Sequence, residues 1–265
     1  MQNYTLVIPP KIKYPIIVSS PHSGTAFPEN LKHLFEPAIV DCPKDADWHV
    51  DKIYDFVTEL GIPLIYASYS RYVVDLNRSP QNESLYNDGR ALTGLTPLKT
   101  FFGDEIYHNG YIPDNEDIAN RLKDYFWPYY EKVEETLNTI KSQFGKALLW
   151  DAHSIKRNVP SIRKNPFPDL ILGSNDGNSS PSSVIECALE ALKESKYGTQ
   201  YNDPFKGGHI TRYFGKPEKN IYALQLEMSQ DLYLDESNNI LDEQKALKLK
   251  GCLKNTLIKL GEKLL

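Results

Sequence analysis

Ala147-Leu148-Leu149-Trp150-Asp151-Ala152-His153-Ser154 decides how this chain reads. Phe144-Gly145-Lys146 before it has the character of a helix ending. Ala147 to Trp150 is apolar without alternation, the pattern of a short strand buried on both faces in a largely parallel sheet. The apolar run stops at Asp151, and His153 and Ser154 follow. In open α/β sheets, polar side chains just past the carboxyl end of a central strand border the crevice where ligands bind. His153 is therefore expected at a strand tip.

Three other stretches have the same form. Pro15-Ile16-Ile17-Val18-Ser19-Ser20 leads into the turn Pro21-His22-Ser23-Gly24. Leu64 to Ala67 is followed by Tyr72-Val73-Val74-Asp75-Leu76-Asn77-Arg78, read as a further strand over 72–76. Ile221 to Leu226 ends in Glu227. Several strands that each deliver polar residues at their ends point to one site assembled from them all. Between the strands, apolar spacing predicts helices over 45–60 (Trp48, Ile53, Phe56, Val57, Leu60) and over 115–143, capped by Asn115 and kinked at Pro128. Further helices are expected over 184–193 and 242–264, the last carrying Leu247, Leu249, Leu253, Leu257 and Leu260. A short buried strand is expected over 169–173. The irregular segment 79–115, with Gly89, Gly94, Gly103 and Gly110, has the length of a functional loop or lid. Alternating strands and helices give an α/β fold, one domain over 1–265 with a central, mostly parallel sheet.

The totals narrow the function. The 265 residues carry a net charge of −5 with both signs interspersed, which offers no field for nucleic acid or an anionic membrane. Cys42, Cys187 and Cys252 form no CxxC pair, and an odd, scattered set predicts reduced thiols and a cytoplasmic setting. No apolar run reaches membrane-spanning length, and Gln2-Asn3 do not begin a signal peptide.

His22 and His153 follow strands, and Asp47 heads the expected 45–60 helix. Two neutral imidazoles and a carboxylate form the ligand set of a hydrolytic zinc ion that keeps a position open for water. His49 and Asp51 compete with Asp47 for the third place. Asp47 has an ordinary alternative as a first-turn carboxylate favoured by the helix dipole. Glu227 at the end of an apolar strand needs a partner or a task. A general base is one such task and an ion pair another. Arg78 and Arg212 have the forked geometry that binds carboxylates, and Arg71 stands close to Arg78 in sequence. Serines near His22 and His153 form no G-x-S-x-G elbow, which disfavours a serine nucleophile.

Six segments together resemble the N-formylglutamate amidohydrolase family. They are Ser20-Pro21-His22-Ser23-Gly24, Asp45-Ala46-Asp47-Trp48-His49-Val50-Asp51, Ser70 to Arg78, Leu149 to Ile155, Lys206 to Arg212, and Gln225-Leu226-Glu227-Met228. They come in the family's order, from about residue 16 to 236. The resemblance implies a zinc-carboxypeptidase-like, three-layer α/β/α fold with a mixed sheet. It implies hydrolysis of N-formyl-L-glutamate, the reaction of the deformylase of histidine degradation. It also implies zinc, or another divalent metal, on His22, Asp47 and His153, with Glu227 as base. Asn77 and Arg78 would clamp the substrate, Arg71 or Arg78 would steady the oxyanion, and Arg212 would hold a carboxylate. The expected partner is a small acidic N-acyl amino acid. A deacylase for another N-acyl amino acid and a metal-free ligand-binding relative are the alternatives. The chain departs from the family pattern at Asn202-Asp203-Pro204-Phe205, where Asn-Gly-Arg-Phe is expected, and at His209 and Tyr213-Phe214.

Overall fold

The computed structural model describes residues 2–81 and 93–265. Seven strands form one mixed sheet: β1 (Tyr4–Val7), β2 (Ile16–Ser20), β3 (Leu64–Ala67), β4 (Ala147–Ile155), β5 (Leu170–Gly173), β6 (Thr199–Tyr201) and β7 (Ile221–Ser229). Their order is β1-β3-β2-β4-β7-β5-β6. The β3-β2-β4-β7 centre is parallel throughout, and β5 runs antiparallel to β7. A small hairpin, β8 (Leu234–Asp235) and β9 (Ile240–Leu241), stands apart. The helices are α1 (Pro37–Asp41), α2 (Val50–Ile53), α3 (Asn115–Arg121), α4 (Trp127–Phe144), α5 (Ser182–Lys193), α6 (His209–Phe214) and α7 (Glu243–Leu264).

The sheet separates two apolar cores. On one face, Ile16, Val18, Leu148, Trp150, Leu224 and Leu226 pack with residues of α2, α5 and α7. On the other, Ile17, Leu149 and Ala223 pack with residues of α4 and α6. This is the expected three-layer arrangement. It follows from strand geometry, in which successive side chains point to opposite faces. Fully burying one such Leu or Ile is worth roughly 1.5–3 kcal/mol. Trp150 adds a polar anchor, its Nε1 donating to Tyr54 Oη at 2.9 Å.

Strand parity also places the chemistry. β4 does not end at Trp150; it is buried over all nine residues to Ile155. Trp150 and Ala152 stay in the first core. Asp151 and His153 take the face where Ala147 and Leu149 lie under α4. The adjoining strand repeats the pattern, with Gln225 and Glu227 on the face of Ala223. The register pairs Asp151 with Gln225 and His153 with Glu227. His153 and Glu227 are therefore neighbours inside the sheet, not loop residues past its edge.

Two expected elements are not formed. The 45–60 segment holds only α2 and a 3-10 turn over Asp55–Thr58. His49 at the N-cap of α2 is left-handed, with φ 61°. That conformation ends the helical path, so Asp47 sits in a turn with its N–H donating to His22 O at 2.9 Å. Residues 72–76 form no strand. Val73 N bonds to Ser70 O and Asp75 N to Leu95 O, which closes the segment into buried turns. The polar connections of Asp75 outweigh the β propensity of its β-branched neighbours.

Other expectations shift by small amounts. The long helix runs from Asn115 to Phe144, but the cap is Asp114, which accepts from Asp117 N. Pro128 does not split it; a π turn over Leu122–Phe126 precedes the proline in a continuous helix. A π turn sets the backbone bonds to wider spacing where the proline removes a donor. Gly145 ends α4 in the left-handed region, as a helix stop requires. Leu247 on α7 is 72% exposed and belongs to no core. In the described parts of 79–115, up to where α3 begins at Asn115, a 3-10 turn at His108–Gly110 is the one helical element. Gly89 and the rest of 82–92 lie outside the described residues. No helix among the described residues is long and apolar enough to cross a membrane.

Candidate metal centre and active site

Three strands and one turn converge on the carboxyl-end half of the sheet. His22 follows β2 in a two-residue turn. Asp47 is held beside it by the bond from its own N–H to His22 O. His153 points from β4 onto the same face. Each offers one ligand atom, these atoms lie within 4.8 Å of one another, and all three residues are buried. The arrangement could hold a metal ion. Of the rival third ligands, His49 is turned away, its Nε2 contacting Asn239 O at 2.9 Å. Asp51 is only half-buried on α2 and is not in the cluster.

The imidazoles are fixed by a second pair of carboxylates. His22 Nε2 is 2.7 Å from Asp75 Oδ1, and His153 Nε2 is 3.0 Å from Asp151 Oδ1. A carboxylate accepts, so each Nε2–H donates outward and each Nδ1 lone pair is left facing inward. His22 Nδ1 and His153 Nδ1 lie 3.8 and 3.0 Å from Asp47 Oδ2. Three lone-pair donors thus face one point, where a cation could be held. Metal-free, a proton plays that part. Burial opposes charge on His153, but Asp151 and Asp47 overcome it and hold the ring well above the usual imidazole range. His22 moves the other way, lowered by burial and by the Arg71 guanidinium. Asp45, Asp47, Asp75, Asp151 and Glu227 are all buried here, with Arg71 among them. So many carboxyl groups fit a divalent ion.

Asp75 sits at the hub. Its Oδ1 also accepts Asn77 N–H at 2.9 Å, and its Oδ2 accepts from Arg71 Nε and Nη2 at 3.2 and 2.6 Å. Burial raises its pKa, but Arg71 and His22 outweigh that and hold the carboxyl well below the ordinary range. Asp151 is steadied from α6, where Thr211 Oγ1 donates to Oδ2 at 3.0 Å. Asp47 Oδ2 accepts Ser154 N–H at 3.2 Å. Glu227 is pushed up to about 8, mainly by burial, with His153 opposing and Asp47 adding to the rise. The amide of Gln225 approaches its Oε2 at 3.5 Å.

The expected substrate residues divide into two groups. Arg71 is committed to Asp75, and its guanidinium lies 5.2 Å from the Phe101 ring centre. Asn77 is buried, its Nδ2 3.1 Å from His153 Nε2 and its Oδ1 accepting Ile210 N–H at 2.9 Å. Arg78 and Arg212 are half-buried near the rim. Arg78 Nε donates to Thr93 O at 2.9 Å, and Arg212 Nε to Gly207 O at 3.0 Å. The sequence reading passed over Asp75 and Asp151 as orienting groups. The signal for Asp151 was present, since it is two residues before His153 and so shares its face of the strand.

The sequence profile of the family described as N-formylglutamate amidohydrolase matches residues 14–234. A protein of Pseudomonas aeruginosa named N-formylglutamate deformylase is 40% identical over 229 residues, 84% of each chain. One of the same name from Pseudomonas putida is 36% identical over 226 residues, covering 85% of this chain and 84% of the other. A crystal structure of an N-formylglutamate amidohydrolase from Ralstonia eutropha JMP134 superposes with TM-score 0.80 over 97% of both chains, at 24% identity, so it shares the fold. The profile match and the two Pseudomonas relatives establish that this chain belongs to the N-formylglutamate amidohydrolase family.

Proposed function

We propose that the protein hydrolyses N-formyl-L-glutamate to formate and L-glutamate, with one divalent ion, zinc by the chemistry of its ligands, held by His22, Asp47 and His153. The observation that carries this reading is the inward pair of Nδ1 atoms, each imidazole tied through Nε2 to a carboxylate, meeting the Asp47 oxygen. The names of the two Pseudomonas relatives supply the substrate. An ion so bound acts as a Lewis acid that acidifies water and polarises a carbonyl.

The chain's own groups do the rest. Glu227, in register beside His153, takes a proton from the attacking water. The water oxygen bonds to the formyl carbon, the C–N bond breaks, and Glu227 returns the proton to the leaving nitrogen. Burial suits the carboxyl to this exchange by raising it toward neutrality. Arg71, fixed by Asp75, keeps a positive charge beside the centre, and with Arg78 steadies the developing oxyanion. Asn77 and Arg78 position the substrate, and Arg78 and Arg212 receive its carboxylates. The whole of 1–265 serves as one amidohydrolase domain. The three free cysteines favour a reducing, cytoplasmic setting.

Metal analysis of the purified protein, with formate release from N-formylglutamate, tests the reading. One equivalent of divalent metal and turnover lost on chelation are expected. Faster turnover of N-formylaspartate or N-acetylglutamate would reassign the substrate, and full activity without metal would end the proposal.

A further inference from the structure

Asp47 has no helix or strand of its own to hold it, since α2 begins only at Val50. A ligand carried on a turn is placed less exactly than one on a regular element unless other groups fix it. Here both of its neighbours in the chain are bonded from the segment that follows β7. Gln230 Nε2 donates to Ala46 O at 2.9 Å. Tyr233 Oη lies 3.0 Å from Trp48 O. The two side chains belong to the 3-10 turn Gln230–Leu232 and the residue after it, a short way beyond Glu227.

Ser154, the residue after His153, joins the two. Its Oγ is 3.3 Å from Gln230 Nε2 and 2.8 Å from Tyr233 Oη. Its N–H is the one that reaches the Asp47 carboxylate. Donors and acceptors balance. A carbonyl can only accept, so the single Tyr233 proton serves Trp48 O, and the Ser154 hydroxyl donates to Tyr233 Oη while accepting from Gln230. Gln230, Tyr233 and Ser154 are 2%, 0% and 4% exposed, so bulk water does not compete for these bonds. With the Asp47 N–H on His22 O, the peptides around this residue and its carboxylate are all held.

Resting on the metal site proposed above, we infer that Tyr233 and Gln230 are positioning residues for Asp47: through Trp48 O, Ala46 O and Ser154 they keep its carboxylate facing the Nδ1 atoms of His22 and His153. Neither touches the ion or the substrate. The turn that carries them continues β7, so the strand that bears Glu227 also sets the third ligand. Base and ligand keep their separation because one element fixes both.

Zinc affinity of the full chain, read by competition with a chromophoric chelator, tests this. Tyr233→Phe is expected to bind zinc about tenfold more weakly, within the range in which outer partners of metal ligands act. Cobalt(II) in the same variant should show altered visible bands, because the donor set is displaced. Tyr54→Phe is the control. Its hydroxyl is equally buried, and among the described residues its side-chain bonds are to Trp150 and Met228, not to the Asp47 turn. It should lose stability and keep its zinc affinity. Gln230→Leu takes the place of Tyr233→Phe if that variant does not fold. A loss of less than about threefold in the positioning variant, below the effect of an outer partner, overturns the inference. So does an equal loss in Tyr54→Phe, which a merely structural role would produce. Wild type that takes up no divalent ion fails the metal site and this inference with it. Wild type that binds zinc, with variants that bind it equally, fails the inference alone.

Discussion

Asp75 Oδ1 lies 2.7 Å from His22 Nε2, while the other oxygen of the same carboxylate holds Arg71. One acid thus aims a candidate ligand and neutralises the nearest cation. Asp75→Asn removes the charge from both contacts. Metal affinity is expected to fall about 10–100-fold. Breaking the buried pair with Arg71 is expected to cost about 3–5 kcal/mol of stability. Chelator competition reads the first and denaturant melts the second. Asp151→Asn should weaken metal binding with a smaller stability loss, since no arginine depends on it among the described contacts. Affinity within threefold of wild type in both variants would mean that neither carboxylate orients an imidazole.

Glu227→Gln separates binding from turnover. Metal content should be unchanged and kcat should drop by about 10²–10⁴. The wild-type pH profile gives a second check. The base works ionised, so activity rises with pH through the carboxyl's pKa. Burial lifts that value from 4.5 to about 8, and a bound cation pulls it part of the way back. The acid limb should therefore lie between about 4.5 and 8 and be absent from the residual activity of the variant. A limb at or below 4.5 would count against Glu227.

Gly208 is fixed by a neighbour. A Cβ there would stand 2.5 Å from Asn77 Cγ. Asn77 has little room to retreat, because its Oδ1 accepts Ile210 N–H and its Nδ2 already stands 3.1 Å from His153 Nε2. Gly208→Ala is expected to cost about 1–3 kcal/mol by overpacking, with KM raised through displaced Arg78. Thermal melts and steady-state kinetics measure these effects. A variant that melts with wild type would show that α6 yields without strain.

His209 also makes a stability prediction. Its folded pKa of about 4 is below the unfolded 6.5, so the unfolded chain binds the extra proton between those values. The histidine's contribution is complete above pH 6.5 and is lost as pH falls toward 4. Between pH 7 and 5 wild type should lose roughly 1–2 kcal/mol more than His209→Phe, allowing for partial exposure. Urea melts at the two pH values test it; equal losses would mean that the ring charges freely.

Much of this fold is written locally. The apolar runs of β2, β4 and β7 and the spacing along α4 and α7 are properties of adjacent residues. They specify strand or helix wherever one face must leave water. The two-residue step from Asp151 to His153 was legible for the same reason. The bend that carries Asp47, the unpaired path of 72–76 and the Nδ1 orientation of both imidazoles were not. Each depends on partners far along the chain: His22 meets Asp75 across 53 residues, and His153 meets Asp47 across 106. A buried charge goes where its counter-charges are, and no local propensity records where those will be. The sequence by itself determined the layers and the chemical types available. Only tertiary structure decided which nitrogen faces the centre, because that choice belongs to the acid on the other side of each ring.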